Sequence, residues 1–104
     1  MSPLTGQMTM NLATLKTSLS QPEPPSGLSS AVQALWWDAK GNWDKAHECA
    51  QAQEDAAGAL VHAYLHRKEG DLDNAGYWYR RAKQPVATAS LGEEWDEIAA
   101  SLLR

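Results

Sequence analysis

Two short segments of the chain, AKGNWDKA at positions 39–46 and RKEGDLDNA at positions 67–75, share one pattern. In each segment a glycine precedes Asn or Asp, and the two glycines, Gly41 and Gly70, lie 29 positions apart. Glycine ends a helix at low cost because it tolerates positive φ, and Asn or Asp caps the free N–H groups of the next helix. The pattern therefore predicts two helical hairpins with tight turns.

The residues around each turn predict how the two helices of a hairpin meet. A large apolar residue follows each cap, Trp43 in the first hairpin and Leu72 in the second. We expect both side chains to pack back on the preceding helix. Three positions later each hairpin has an alanine, Ala46 or Ala75, whose small side chain lets the helices cross closely.

The chain from residue 28 to residue 85 is typical of four consecutive helices. We expect them to begin after Ser29 or Ser30, after Asn42, at about residue 56 and after Asp71. A fifth helix follows, in which Ser90 and Glu93 have the spacing of a capping box. No segment alternates polar and apolar residues over the length of a strand, so the sequence predicts an all-α fold.

The first 27 residues differ from the rest in pattern. The apolar residues Leu4, Met8, Leu12, Leu15 and Leu19 have the spacing of one stripe on a helix. The next segment, QPEPPSG, cannot extend this helix because proline lacks the backbone N–H and restricts the residue before it. We predict an N-terminal amphipathic helix in residues 1–20, a proline-rich linker in residues 21–27 and a helical domain in residues 28–104.

Charge and composition exclude several classes of function. The net charge of −4 argues against nucleic-acid binding, which needs a basic face. The N-terminal residues have neither a basic cluster before an apolar run nor a run long enough to span a membrane, so we expect no signal peptide and no membrane association. The single cysteine, Cys49, cannot form an internal disulfide, which fits a reducing, cytoplasmic location.

The second hairpin resembles the tetratricopeptide repeat, a helix–turn–helix unit with a Gly-Asp/Asn turn and small residues where its helices cross. Ala63 and Ala75 occupy the small crossing positions, Tyr79 the aromatic position and Ala82 the last small position. The first hairpin matches less well, and the spacing is 29 residues rather than the roughly 34 of the family. The segment HAYLHRKEGDL also resembles sequences in a group of short bacterial proteins of uncharacterised function.

A TPR-like array of two units lacks the third unit that such arrays usually need for stability. The resemblance therefore implies an additional source of burial. The C-terminal helix around Trp95 is the expected cap, and the N-terminal apolar stripe is the second source. A second copy of the chain, in a homodimer, is the alternative.

The same resemblance implies a binding surface, because the first helix of each tetratricopeptide unit lines a concave face. The implied lining residues are Ala31, Leu35, Asp38, Leu60, Tyr64, Arg67 and Lys68. We expect Tyr64 to anchor a peptide or partner protein, with Arg67 and Lys68 orienting a carboxylate. The sequence thus favours a small adaptor over an enzyme, and this interpretation needs no cofactor.

The three histidines offer an alternative hypothesis. His62 and His66 are four residues apart on one helical face, which is a metal-ligand spacing, and His47 on the preceding helix supplies a third nitrogen. We favour a structural role, in which these rings form hydrogen bonds inside the protein. Convergence of the rings within about 5 Å on a cleft that contains Glu or Asp would instead favour a metal-binding, small-molecule-binding or catalytic site.

Overall fold

The computed structural model describes residues 10–104. This part of the chain contains six α-helices and no strand, so the prediction of an all-α fold is confirmed. The helices are α1 (Leu12–Thr17), α2 (Ser30–Ala39), α3 (Trp43–Ala52), α4 (Ala56–Glu69), α5 (Leu72–Ala82) and α6 (Leu91–Leu102). A 3-10 turn, Ser18–Ser20, follows α1 directly. None of the described helices is long and apolar enough to cross a membrane.

The helix boundaries follow capping residues that are visible in the sequence. Asn42 and Asp71 accept hydrogen bonds from backbone N–H groups in the first turns of α3 and α5. Gly41 and Gly70 end the preceding helices with φ of 85° and 90°, in the left-handed region that glycine tolerates. Ser90 and Glu93 form the expected capping box at the start of α6. The predicted boundaries at both hairpin turns are therefore confirmed.

The two hairpins are α2 with α3 and α4 with α5, and they pack side by side through α3 and α4. The small residues Ala34, Ala46, Ala63 and Ala75 lie at the helix contacts, and none is more than 2% exposed. A side chain without atoms beyond Cβ allows this close approach. The finer assignment of the hairpins to the tetratricopeptide class stays a prediction.

Helix α6 packs against α4 and α2, and also contacts α1. Its apolar face, which includes Trp95 and Ile98, is buried there. The indole Nε1 of Trp95 donates a hydrogen bond to the carbonyl oxygen of Leu35 at 2.9 Å. The C-terminal helix therefore covers the side of the hairpins that their first helices form.

The described part of the N-terminal segment docks on the hairpins. Leu15 of α1 is fully buried. The hydroxyl of Ser18 accepts a hydrogen bond from the Trp36 indole at 3.0 Å, and Lys40 donates to two carbonyl oxygens just after α1. The helix begins at Leu12, since Asn11 is extended and caps it. The other residues of the predicted stripe, Leu4 and Met8, lie outside the described residues.

Candidate metal centre and neighbouring cleft

The concave face expected from the tetratricopeptide resemblance lies under α6. Ala31 and Leu35 are fully buried, Tyr64 is only 3% exposed, and Leu60 is partly buried. Helix α6 packs on this side of the hairpins, and the role of these residues in binding a partner stays a prediction. The apolar side chains of α6, above all Trp95, need a surface to cover, and the first helices of the hairpins provide it.

Three of the predicted partner-binding residues, Asp38, Tyr64 and Lys68, form one polar group, in which Asp38 and Tyr64 are buried and Lys68 is exposed. The Tyr64 hydroxyl donates to Asp38 Oδ2 at 2.8 Å, and Lys68 Nζ donates to Asp38 Oδ1 at 2.9 Å. Burial, together with the charge of Asp38, raises the pKa of Tyr64 above the ordinary range of tyrosine. This group links α2 to α4, and its role in binding a partner stays a prediction.

Arg67, the residue expected to orient a partner's carboxylate, pairs inside the protein instead. Its Nη1 donates to Glu94 Oε1 at 2.8 Å, and its Nη2 donates to the carbonyl oxygen of Ala89. The other oxygen of Glu94 accepts a hydrogen bond from the Tyr79 hydroxyl. Glu94 is 4% exposed, so its charge depends on these partners. Arg67 therefore holds α6 on the second hairpin.

The three histidines of the chain converge where α3 and α4 meet. The Nε2 atoms of His47 and His62 are 2.9 Å apart, which is a hydrogen-bond distance. One ring nitrogen from each of His47, His62 and His66 lies within 4.8 Å of the other two. His62 and His66 are 4% and 6% exposed, and His47 is partly buried. The close approach that the alternative hypothesis requires is present.

Two tryptophans fix the orientation of the histidine rings. His47 stacks on Trp43 with ring centres 4.7 Å apart, and His62 stacks on Trp78 at 3.9 Å. The opposite side of the cluster is formed by His66, whose ring is stacked with His62 at 4.8 Å. The indole Nε1 of Trp43 is itself hydrogen-bonded to the carbonyl oxygen of Leu65. The rings are thus held in a largely apolar shell that limits their contact with water.

A carboxylate orients the third histidine. Nδ1 of His66 is 2.6 Å from Glu69 Oε1, a short hydrogen bond in which the nitrogen is the donor. This places a proton on Nδ1, while Nε2 of His66 lies 3.4 Å from the side-chain amide nitrogen of Asn74. Histidines that bind metals typically donate their second N–H to a carboxylate in this way.

Two of the rings are neutral at pH 7. Burial, followed by the neighbouring His47 and His66, lowers the pKa of His62 to about 4. Burial also lowers the pKa of His47, with a smaller contribution from His66 in the same direction. The neutral imidazole is the form that coordinates a metal ion. The cluster therefore needs no net proton loss from these two rings, but the proton shared between their Nε2 atoms has to move to an Nδ1 before both Nε2 atoms can coordinate a metal.

A tetrahedral metal ion would require the three rings to adjust their positions. Zn–N bonds of about 2.0–2.1 Å in a tetrahedron place two ligand nitrogens about 3.3 Å apart. The 2.9 Å between His47 and His62 reflects their hydrogen bond and would lengthen by a few tenths of an ångström, whereas the His66 nitrogen, which lies within 4.8 Å of the other two, would move towards them. Three histidines leave the fourth position for water or another ligand.

A cleft of about 480 Å³ opens beside His62, a volume in the range of small-molecule sites. Its lining residues are Ala50, Gln51, Gln53, Glu54, Asp55, Ala56, Gly58, Ala59, His62, Trp78 and Arg81. The rings converge within 4.8 Å, and the adjacent cleft contains Glu54 and Asp55, but His62 alone of the three histidines lines it.

The sequence pointed to the three histidines but missed the residues around them. Trp43 and His47 are four residues apart, as His62 and His66 are, and this spacing places both side chains on one face of a helix. The contact of Trp43 with the histidine cluster could therefore have been predicted. Trp78 and Arg81 reach the site only because α5 packs along α4. No local pattern in the sequence indicates that contact.

The fold and the site define an all-α protein with a cluster of three histidines between its hairpins. Comparison of the chain with protein-family models, with curated proteins and with solved structures found no match. Because an all-α fold alone does not indicate a function, the function has to be argued from the chemistry of the site.

Proposed function

We propose that the protein binds a transition-metal ion through His47, His62 and His66, and that Zn²⁺ is the ion the site suits. The observation that supports this function is the convergence of three ring nitrogens within 4.8 Å. Imidazole is a good ligand for Zn²⁺, Cu²⁺ and Ni²⁺, whereas Mg²⁺ and Ca²⁺ prefer oxygen. Zn²⁺ accepts three histidines in a tetrahedral site more readily than Cu²⁺ or Ni²⁺, which favour square-planar or tetragonal geometry.

Each residue around the metal would have a defined role in holding it. Glu69 would orient His66 and increase its basicity through the Nδ1–H hydrogen bond. Trp43 and Trp78 would hold the other two rings in place by stacking. The competing structural role is a metal-free cluster in which the hydrogen bond between His47 and His62 joins α3 to α4.

Calorimetric titration of EDTA-treated, dialysed protein with Zn²⁺ separates the two roles. We expect one ion per chain and a loss of affinity in His47→Gln of more than about 100-fold, since a direct ligand counts for more than the roughly 10–100-fold of an outer-shell residue. His47 is the best position for this variant because its side chain is only partly buried. Glu48→Gln, at the exposed neighbouring position, is the matched control and should bind as the wild type does.

Two further measurements make the test specific. Glu69→Gln should weaken Zn²⁺ binding by about 10–100-fold while leaving the stoichiometry unchanged. Co²⁺ in place of Zn²⁺ should give the strong visible absorption of a tetrahedral site. Absence of binding, or equal affinity of the wild type and His47→Gln, would rule out the metal function and leave the structural role.

A second candidate function, the adaptor that the sequence favours, is supported by one surface groove. About 400 Å³ remains open between α1, α2, α4 and α6. Its lining residues are Lys16, Leu19, Asp38, Ala39, Tyr64, Lys68, Leu91, Gly92, Trp95 and Asp96. Leu19, Leu91 and Trp95 give it an apolar floor, and the ion pairs of Lys16 with Asp96 and of Lys68 with Asp38 form its rim.

The occupant that fits this groove is a short peptide with one large apolar side chain, which the apolar floor would bury. Selection of a displayed peptide library on the wild type and on Leu91→Glu tests it, with Leu72→Glu as control because Leu72 is exposed outside the groove. We expect peptides that bind the wild type and the control but not Leu91→Glu. Peptides that bind all three proteins equally would exclude the groove.

A further inference from the structure

The cleft beside His62 contains charged groups that the metal function does not use. Its walls come from the end of α3, the turn between α3 and α4, the start of α4, and α5. Glu54 and Asp55 lie in the turn, and Arg81 lies on α5. The charges of opposite sign are thus on different walls.

Arg81 is held in place but has no carboxylate partner. Its guanidinium carbon lies 5.3 Å from the ring centre of Trp78 and 5.8 Å from that of Tyr77, and its Nη1 donates to the Tyr77 hydroxyl at 3.1 Å. No Asp or Glu in residues 10–104 forms an ion pair with it. A guanidinium positioned by aromatic rings, with N–H groups to spare, suits a bidentate carboxylate.

The acidic wall offers one free carboxylate. Asp55 is engaged as the cap of α4: its Oδ1 accepts from the N–H of Gly58 at 3.0 Å and from the Gln53 amide at 3.1 Å. Glu54 is exposed and has no ion-pair partner within the described part of the chain. The cleft thus presents one unpaired charge of each sign, Arg81 and Glu54.

The cleft also contains a nitrogen atom that can form a hydrogen bond with a ligand. His62 is 4% exposed and lines the cleft. Its Nε2 pairs with His47, whereas no residue among 10–104 forms a hydrogen bond with its Nδ1. Since no fully buried side-chain nitrogen or oxygen in this part lacks a partner, Nδ1 of His62 retains access to solvent, and the cleft is the opening that His62 lines.

We propose that this cleft binds a free α-amino acid. Arg81 holds its carboxylate, Glu54 holds its ammonium group, and Nδ1 of His62 forms a hydrogen bond with the ligand. Trp78 and Ala59, which also line the cleft, contact the apolar part of its side chain. A simple anion would leave Glu54 unmatched and a simple cation would leave Arg81 unmatched, whereas a zwitterion matches both. This site goes beyond the metal function and does not depend on it.

Titration of EDTA-treated protein with each proteinogenic L-amino acid, followed by calorimetry, tests the ligand class. For the amino acid that binds best, the amide removes the carboxylate charge and the N-acetyl derivative removes the ammonium charge. We expect each derivative to bind at least about 10-fold more weakly, since a lost charge-assisted hydrogen bond costs this much. Absence of binding for every amino acid, or binding of either derivative as tight as that of the amino acid, would overturn the proposal.

Variants then assign each charge to its residue. Arg81→Gln should weaken binding of the amino acid about 10-fold or more but leave binding of its amide unchanged, and Arg80→Gln is the exposed control on the same helix. Glu54→Gln should weaken binding of the amino acid but not binding of its N-acetyl derivative, with Glu48→Gln as control. Equal losses for amino acid and derivative would refute the assignment. Because the protein is metal-free, a failure here leaves the zinc titration unaffected.

Discussion

The two hairpins have equivalent turns but different neighbours. Trp43, which follows the cap of the first hairpin, stacks on His47 and donates a hydrogen bond to Leu65 of α4. Leu72, the equivalent residue of the second hairpin, is 67% exposed. The expectation that Leu72 packs back on the preceding helix is wrong. The second helix of the first hairpin is covered by α4, whereas α5 packs mainly on α4 and its outer side faces solvent.

A second pair of equivalent positions shows the same principle with charges. Asp38 of α2 and Arg67 of α4 have the same place in their hairpins, 29 positions apart. Asp38 pairs with Lys68 of the second hairpin, and Arg67 pairs with Glu94 of α6. Each position therefore links its helix to a neighbouring element, and the neighbour determines which charge is needed.

The largest effect is expected when Arg67 is lost. Arg67→Met should lower the free energy of unfolding by about 3–5 kcal/mol, because it leaves Glu94 buried without a cation. Lys16→Met is the control: the Lys16 and Asp96 side chains of its ion pair are 49% and 43% exposed, and such pairs contribute about 1 kcal/mol or less. Chemical denaturation measures both. Losses of equal size would mean that Arg67 does not hold α6 in place.

Alanine substitutions of two glycines test the difference between the covered and the open side of the second hairpin. A Cβ on Gly58 would lie 1.7 Å from the carbonyl oxygen of Gln53, whereas a Cβ on Gly76 would meet only the flexible end of Arg80 at 3.5 Å. We expect Gly58→Ala to destabilise the protein by about 3 kcal/mol and Gly76→Ala to stabilise it by about 0.5–1 kcal/mol. If thermal or chemical unfolding shows that both substitutions change the free energy of unfolding in the same direction, the close contact of α3 with α4 is incorrect.

The hairpin comparison itself is tested at the residues that follow the caps. Trp43→Ala should cost about 2–3 kcal/mol, since it removes a partly buried ring and its hydrogen bond. Leu72→Ala should change stability by less than about 0.5 kcal/mol, as is usual for an exposed position. Denaturation midpoints provide the measurement. A comparable loss in both variants would show that Leu72 is covered, for example by a second copy of the chain.

The smallest effect is a pH dependence of the contact between the hairpins. The pKa of His62 is about 4 in the folded protein and 6.5 for an unperturbed histidine, so the unfolded chain binds more protons between these values. Stability should therefore fall as the pH is lowered from about 6.5 to about 4, by about 1–2 kcal/mol, since solvent in the cleft screens part of the effect. Unfolding of metal-free protein at several pH values measures this slope, and His62→Gln should flatten it. An unchanged slope in that variant would contradict the assignment.

Local sequence was sufficient for the helix boundaries. Gly41, Asn42, Gly70 and Asp71 act through hydrogen bonds and φ angles within one helical turn, so their effect does not depend on the rest of the protein. The spacing of His62 and His66 was readable for the same reason, because residues four apart share one face of any helix. Their approach to His47 required the contact of α3 with α4.

The sequence by itself determined that the chain is helical, where both hairpins turn, and which faces of its helices are apolar. Only the tertiary structure decided what covers those faces: α6 packs on the first helices of the hairpins, Arg67 pairs with Glu94, and Leu72 remains exposed. An apolar stripe indicates that a surface must be buried but not against which partner. The hydrophobic effect is non-directional, and the choice among partners depends on contacts between residues far apart in the chain.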